Sequence, residues 1–152
     1  MTTSPDARAA VDTNVLIYSV YTDAEHHRAA RFLVDQAKNP DAALCLTPQV
    51  LAEFYAVVTN PRRVTEAKSP AVALETMRMF LALPGMTLLA VPLDIVSRLM
   101  TLLHQHPVIG RKVFDVQLVA TLLGNGVRTL HTFNWADFEP FSDIEVLTLV
   151  AP

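Results

Sequence analysis

Short apolar segments typical of buried strands alternate along the chain with segments of helical periodicity, and this alternation constrains the fold more than any other feature. The predicted strands cover residues 9–12, 43–47, 87–91, 127–132 and 145–149. The predicted helices cover residues 14–21, 24–38, 48–59, 70–83, 93–105 and 112–124. Strands that alternate with helices favour an α/β domain built around a mostly parallel sheet.

The length and composition of the chain are those of one globular domain with a substantial core. Its 152 residues are 51% apolar, and a domain of this size buries about 70% of the surface of its unfolded chain. We expect the polar residues 1–8 to form a flexible N-terminal extension and residues 9–150 to form the single domain. Cys45, the single cysteine, lies in an apolar strand-like segment and is predicted to be a small buried side chain.

Charge and hydropathy limit where the protein acts and what it binds. No apolar run reaches the roughly 18 residues of a membrane span, and the first residues do not have the pattern of a signal peptide. We therefore expect a cytoplasmic protein that binds no membrane. The net charge of −3 excludes a generally basic nucleic-acid binder, so a polyanion would have to be bound by a local basic patch or through cations.

Four acidic residues stand alone in otherwise uncharged segments: Asp12, Glu53, Asp115 and Asp137. Glu53 and Asp115 have apolar residues three and four positions away, so both are predicted to lie on inward, apolar faces of their helices. Desolvation raises the pKa of a carboxyl group in such a position unless a cation or hydrogen-bond donors compensate.

The predicted elements place these acids near one edge of the sheet. Asp12 ends the first strand, Glu53 lies in the helix that follows the second strand, and Asn134 and Asp137 follow the fourth strand. Because ligands of open parallel sheets bind outside the carboxyl ends of the strands, we expect these side chains, together with Asp115, to gather there.

Each acid also has a structural explanation that involves no ligand. Asp12 is a suitable N-cap for the first helix, Asp115 is a suitable partner for a helix dipole, and Asp137 is a typical turn residue. Glu53 has no such role, because an acid in the middle of a helix does not cap it. The four acids together therefore favour a functional cluster.

A cluster of carboxylates predicts a particular chemistry. Neighbouring carboxylates repel one another, and protons or metal cations must relieve that repulsion. Oxygen ligands without thiols suit Mg²⁺ or Mn²⁺ better than zinc. Such centres commonly hydrolyse phosphate esters by in-line displacement at phosphorus.

Four segments of the chain resemble, in order, the acidic motifs of PIN-domain ribonucleases, most closely those of the VapC-type toxins. They are "VDTNVLI" at 11–17, "LAEFYAVVTN" at 51–60, "FDVQLVATLL" at 114–123 and "LHTFNWADFEPF" at 130–141. The resemblance implies an α/β/α sandwich and an endoribonuclease that depends on Mg²⁺ or Mn²⁺ and leaves a 5′-phosphate and a 3′-hydroxyl. It also implies a homodimer and a cognate antitoxin that blocks the active site.

The resemblance implies a role for each acid. Asp12, Glu53 and Asp115 match the three main acids, which hold the metal, and Glu53 is expected to orient the attacking water. The fourth acidic position of the family is occupied here by Asn134, so either Asn134 or Asp137 is expected to supply the fourth catalytic group.

Six further residues are candidates for binding the RNA substrate: Thr13, Asn14, Arg62, Arg63, Arg111 and Lys112. Thr13 and Asn14 follow Asp12 and are suited to donate hydrogen bonds to it or to substrate, although they also suit a helix N-terminus. The basic residues flank the helices that carry Glu53 and Asp115, and their alternative role is that of solvated helix ends.

Two other functions are compatible with part of the pattern. A phosphatase with Asp12 as its nucleophile would need a second Asp two residues later, where this chain has Asn14. A non-catalytic interaction module on the same fold is the alternative outside enzymes, and the acids in apolar segments argue against it.

Overall fold

The computed structural model describes residues 7–150 and contains one five-stranded sheet in the order β3-β2-β1-β4-β5. The strands are β1 (Ala9–Val11), β2 (Leu44–Leu46), β3 (Met86–Leu88), β4 (Thr129–His131) and β5 (Glu145–Leu147). All four neighbouring pairs are parallel. The predicted α/β fold is confirmed, and the sheet is parallel throughout the described residues.

Seven α-helices flank this sheet in the described part of the chain. They are α1 (Thr13–Val20), α2 (His27–Gln36), α3 (Pro48–Val58), α4 (Pro70–Ala82), α5 (Ile95–Gln105), α6 (Val113–Gly124) and α7 (Trp135–Phe138). Short 3₁₀ helices cover Pro40–Ala42 and Gly110–Lys112. The sequence predicts a loop where α7 lies, because a helix of four residues is too short to produce a helical period.

β1 and β2 end one residue earlier than predicted because Asp12 and Thr47 cap the helices that begin immediately after them. β2 ends where Thr47 caps α3, and the Thr47 hydroxyl accepts a hydrogen bond of 3.2 Å from the Val50 N–H. β3 then loses its partner strand and ends at Leu88, and a single bond from the Leu89 N–H to the Leu46 carbonyl oxygen extends the pairing. The pair Thr47–Pro48 predicts this helix start from the sequence, because Thr is a favoured N-cap and Pro a favoured first residue, and the structure confirms both.

The core lies on both faces of the central strands. The side chains of Val11, Cys45, Leu46 and Leu130 are almost completely buried, as parallel strands covered by helices require. Cys45 is confirmed as a buried apolar side chain, and burial raises the pKa of its thiol to about 11.

The order of the strands positions the candidate site. Connections from β1 run to β2 and β3 on one side, whereas β4 and β5 lie on the other side of β1. Because crossovers between parallel strands are right-handed, this reversal places the helices of the two halves on opposite faces. It also opens a crevice between the carboxyl ends of β1 and β4, where open α/β sheets bind ligands.

Two expectations concern the ends and surface of the chain. Most of the predicted N-terminal extension, residues 1–8, lies outside the described residues, and at its end Arg8 donates a 2.7 Å hydrogen bond to the Asn125 carbonyl oxygen. Within residues 7–150, no helix combines the length and hydrophobicity that a membrane span requires.

Candidate active site

A cleft of about 410 Å³ lies at the carboxyl edge of the sheet, beside β1 and β4. Its walls include eight of the residues that the sequence singled out: Asp12, Thr13, Asn14, Glu53, Arg63, Arg111, Asp115 and Asn134. These residues come from segments more than 100 positions apart, and the sheet topology is what brings them together.

Asp12 stands at the joint between β1 and α1, and only 8% of it is exposed. Its Oδ1 accepts a hydrogen bond of 2.7 Å from the Thr13 N–H, and its Oδ2 accepts one of 2.8 Å from the Thr132 hydroxyl. Burial raises the pKa of Asp12, and these two donors oppose the effect. Asp12 therefore serves both as the cap of α1 and as a wall of the cleft.

Glu53 is held at the cleft by donors on both of its oxygens. Oε2 accepts a 3.0 Å hydrogen bond from the Thr13 hydroxyl, and Oε1 accepts one of 3.1 Å from the Gln49 amide. The same amide donates to the Phe114 carbonyl oxygen at 2.8 Å. Glu53 is half-buried, so it lies on the wall of the cleft and not in the apolar core.

Asp115 lies in the first turn of α6 and is half-buried. Its pKa is raised to about 6, first by burial and then by the negative charges of Asp137, Asp12 and Glu53, whereas Lys112 lowers it. The four carboxylates are therefore close enough to repel one another.

Asn134 and Asp137 occupy different places around this cluster. Asn134 is exposed and lines the cleft, and its N–H donates to the Thr132 hydroxyl at 3.0 Å. Asp137 lies outside the cleft, on α7, with an oxygen 3.9 Å from the Lys112 Nζ. It borders a neighbouring cavity that also includes Asp115.

A network of polar side chains joins α1 to the end of β4. The Asn14 amide donates to the Thr132 hydroxyl at 3.2 Å, and its oxygen accepts from the Phe133 N–H at 3.2 Å. Thr132 is fully buried, so its hydroxyl both packs the end of the strand and orients Asp12.

The predicted basic residues separate into two groups. Arg63 and Arg111 line the cleft with the carboxylates. Arg62 is exposed and does not border it, and Lys112 lies on the side of Asp137.

Three residues of the cleft region are missed by the sequence prediction: Gln49, Asn60 and Phe114. The position of Gln49 one helical turn before Glu53 and that of Phe114 beside Asp115 are the available signals. Nothing in the sequence marks Asn60 beyond its place at the end of the second motif.

The oxygen atoms that line this cleft are of the type and charge that bind a hard divalent cation. Carboxylate and amide oxygens line it, and the pKa of Asp115 is raised first by burial and then by neighbouring negative charges that a cation would compensate. Within residues 7–150, however, no three His, Cys, Asp or Glu side chains are grouped so as to hold one ion. The Asp12 and Glu53 oxygens are instead bonded to Thr13, Thr132 and Gln49.

Comparisons with known proteins agree with this architecture. Residues 9–143 match the PIN domain. Ribonuclease VapC24 of Mycobacterium tuberculosis is 32% identical over 133 residues, which cover 87% of this chain and 90% of that protein. Ribonuclease VapC43 of the same organism is 41% identical over 75 residues, which cover 49% of this chain and 51% of that protein.

Solved structures have the same fold at low sequence identity. VapBC2 from Rickettsia felis, bound to a DNA fragment from its promoter, superposes with a TM-score of 0.64 at 18% identity, covering 93% of this chain and 98% of that chain. VapC20 of Mycobacterium tuberculosis, a toxin that cleaves the sarcin-ricin loop, superposes with a TM-score of 0.64 at 16% identity. The match covers 88% of this chain and 95% of that chain. With a domain match over nearly the whole described chain, this chain belongs to the PIN-domain family, and the relatives named here are VapC ribonucleases.

Proposed function

We propose that this chain is an endoribonuclease of the VapC type, the toxin of a toxin–antitoxin pair. The observation that carries the proposal is the cleft in which Asp12, Glu53 and Asp115 meet at the β1–β4 crevice, inside a PIN domain. The names of the sequence relatives supply the substrate class, since VapC24 and VapC43 are ribonucleases.

We further propose that the reaction depends on Mg²⁺ or Mn²⁺. Because no three acidic side chains of the described residues are grouped around one point, Asp12, Asp115 and Glu53 would hold the cation in part through water, with Asn134 as the fourth group. When bound, such a cation makes water a stronger nucleophile and stabilises negative charge that develops at phosphorus.

The side chains around the cleft have separate tasks in this proposal. Glu53, fixed by Thr13 and Gln49, orients the attacking water and accepts its proton. Arg63 and Arg111 attract the phosphodiester to an otherwise acidic site. Attack from the side opposite the 3′-oxygen leaves a 5′-phosphate and a 3′-hydroxyl.

The proposed partners follow from the same family. Solved structures with this fold include VapBC-1 from Haemophilus influenzae and a toxin–antitoxin complex from Klebsiella pneumoniae. We propose that a cognate antitoxin covers the cleft of this chain, that the chain forms a homodimer and that it acts in the cytoplasm.

The proposal is tested with antitoxin-free protein and total RNA. We expect cleavage with Mg²⁺, none with EDTA, and loss of at least about a hundredfold in Asp12→Asn, which keeps the cap of α1 but removes the charge. Asp41→Asn is the control, because Asp41 is exposed and lies outside the cleft.

Two results would contradict the proposal. One is cleavage that persists in EDTA or that Asp12→Asn leaves unchanged. The other is efficient turnover of a small phosphate monoester without RNA cleavage, which would favour the Asp12-nucleophile phosphatase.

A further inference from the structure

A second cavity of about 510 Å³ adjoins the active-site cleft between α3 and α6. The two cavities share three residues: Glu53, Arg111 and Phe114. We propose that the second cavity is a subsite for an unpaired base of the RNA substrate, next to the phosphodiester that is cleaved. This inference rests on the proposed ribonuclease function and names the part of the substrate that the neighbouring cavity takes.

Phe114 is the principal argument for a base. It is 44% exposed, although it is a large apolar side chain on a helix whose apolar residues Val116 and Leu118 are deeply buried. It immediately precedes Asp115, so its ring lies at the boundary between the acidic cleft and the second cavity. Exposed aromatic rings beside a nucleic-acid path are the usual stacking surfaces for unpaired bases.

The rest of the lining suits a flat, neutral and partly polar ligand. Pro48, Ala52 and Val91 supply apolar surface. The Gln117 amide and the Thr121 hydroxyl supply groups that can donate and accept hydrogen bonds. The charged residues, Glu53 and Arg111, are those shared with the cleft, so charge is confined to the side from which the phosphate would enter.

The wall between the two cavities is fixed by Gln49. Its amide nitrogen donates to Glu53 at 3.1 Å and to the Phe114 carbonyl oxygen at 2.8 Å, which uses both of its N–H groups. Gln49 therefore ties α3 to α6, and because its remaining polar atom, Oε1, is buried, it does not read a base. Reading of base edges falls to Gln117, one helical turn after Phe114 on α6.

An RNA strand that crosses this wall would have its backbone and base in different surroundings. Arg111 borders both cavities and would pair with a phosphate at the crossing point. The phosphodiester would then face Asp12 and Asp115 while the adjacent base lies against Phe114.

The test compares two single-stranded probes of equal charge. One is a pool of random-sequence RNA hexamers, and the other is an abasic ribose-phosphate hexamer. Binding is measured by fluorescence anisotropy in the Asp12→Asn background, so no probe is cleaved. We expect Phe114→Leu to weaken binding of the base-bearing hexamers about tenfold, as loss of one stacking contact does, and to leave the abasic hexamer unchanged.

Matched variants separate stacking from a change in folding. Phe32→Leu is the control, since Phe32 is 46% exposed on α2 and borders neither cavity. Phe114→Trp retains a ring and is expected to restore binding. Gln117→Ala in the active enzyme is expected to change the base preference beside the cut, read by sequencing the 5′ ends of the products.

The proposal is overturned if Phe114→Leu weakens binding of both hexamers equally, or if it weakens binding of the base-bearing hexamers no more than Phe32→Leu does. It is also overturned if Phe114→Leu changes only the sedimentation coefficient, which would make this surface a contact with a second copy. Because the hexamer comparison needs no turnover, failure of the subsite is distinguished from failure of the ribonuclease proposal, which is decided by metal-dependent cleavage.

Discussion

At the scale of single residues, the chain places ionisable groups where they are unstable on their own. Asp12 is almost fully buried and Asp115 is half-buried among three other carboxylates, and the pKa of both is raised. Donors on Thr132 and Thr13 compensate Asp12 in part. For Asp115, the charge of Lys112 is the one influence that lowers the pKa. A bound cation would therefore stabilise the ionised form of this side chain.

Asp115→Asn should stabilise the metal-free protein, and the gain should depend on pH. The pKa of Asp115 is about 6 in the folded protein against 3.8 as its ordinary value, so the folded state binds the proton more tightly and loses stability as pH rises through this window. The variant avoids that loss. Its melting temperature in EDTA should exceed that of the wild type by about 2–4 °C near pH 7.5 and by much less near pH 4.5.

Addition of Mg²⁺ at neutral pH provides the second half of this measurement. It should raise the melting temperature of the wild type and have a smaller effect on Asp115→Asn. If Asp115→Asn raised the melting temperature by the same amount at both pH values, repulsion between carboxylates would not be the cause of the increase.

Thr132→Val should damage both stability and activity. The substitution keeps the shape of the side chain but removes the hydroxyl that donates to Asp12 and accepts from the Asn134 N–H. Because the buried partners of this hydroxyl are left unpaired, the free energy of unfolding should fall by about 1–3 kcal/mol, which chemical denaturation can measure. Thr132→Ser, which retains the hydroxyl, should recover most RNA cleavage, and equal loss in the Ser and Val variants would contradict a role that depends on the hydroxyl alone.

At the scale of elements, the site depends on how helices are joined to one another and to strand ends. α1 is tied to the segment after β4 through Asn14, whose side chain bonds Thr132 and the Phe133 N–H. α3 is tied to α6 through Gln49. These bonds cross the two sides of the cleft, so the separation of the carboxylates is set by helix placement as well as by side-chain rotamers.

Gln49→Leu should lower kcat at saturating RNA by about tenfold, because Glu53 loses a donor to its charged oxygen and α3 loses its bond to α6. Gln36→Leu is the matched control, since Gln36 is exposed at the end of α2. An unchanged kcat in Gln49→Leu would mean that Thr13 alone orients Glu53.

At the scale of the whole molecule, the distribution of charge matters more than its sum. The chain carries a net charge of −3, yet two arginines border the acidic cleft. The proposed RNA substrate would therefore meet the positive side chains of Arg63 and Arg111 at the cleft, although the protein as a whole is negative.

The adjacent residues Arg62 and Arg63 provide a test of whether the positive charge at the cleft contacts RNA phosphates. Arg63→Gln should weaken RNA binding to an Asp12→Asn background and reduce the slope of log K against log salt concentration by about 0.7, the value for one phosphate contact on a single strand. Arg62→Gln should leave the slope unchanged, because Arg62 lies outside the cleft. Equal slopes for the two variants would contradict a phosphate contact at Arg63.

The exposed face of α5 is where we expect the homodimer to form. Val96 and Met100 lie one turn apart and are 65% and 64% exposed, whereas Leu99 and Leu103 pack against the core. Met100→Glu should give the mass of one chain in sedimentation equilibrium. Thr101→Glu, which adds the same charge at the neighbouring exposed position, should retain the mass of two chains, and a wild type that sediments as one chain would contradict the dimer.

Sequence patterns are sufficient to predict the class of fold, the order of every strand and α-helix except α7, and the three acids that line the cleft. Hydrophobic periodicity reports which faces are buried, and a lone carboxylate in an apolar segment is conspicuous because its desolvation is costly. Local sequence is therefore sufficient to identify Asp12, Glu53 and Asp115, and to identify Thr47 as the cap of α3.

Which polar residues meet one another depends on the tertiary structure. In the folded chain Asn134 lines the cleft whereas Asp137, on α7, lies outside it, the Gln49 amide bonds to α6, and Arg63 borders the cleft whereas Arg62 does not. These outcomes depend on distances between segments far apart in the chain, and local periodicity carries no information about such distances. The second cavity, with Phe114 at its edge, likewise exists only because α3 and α6 face each other across it.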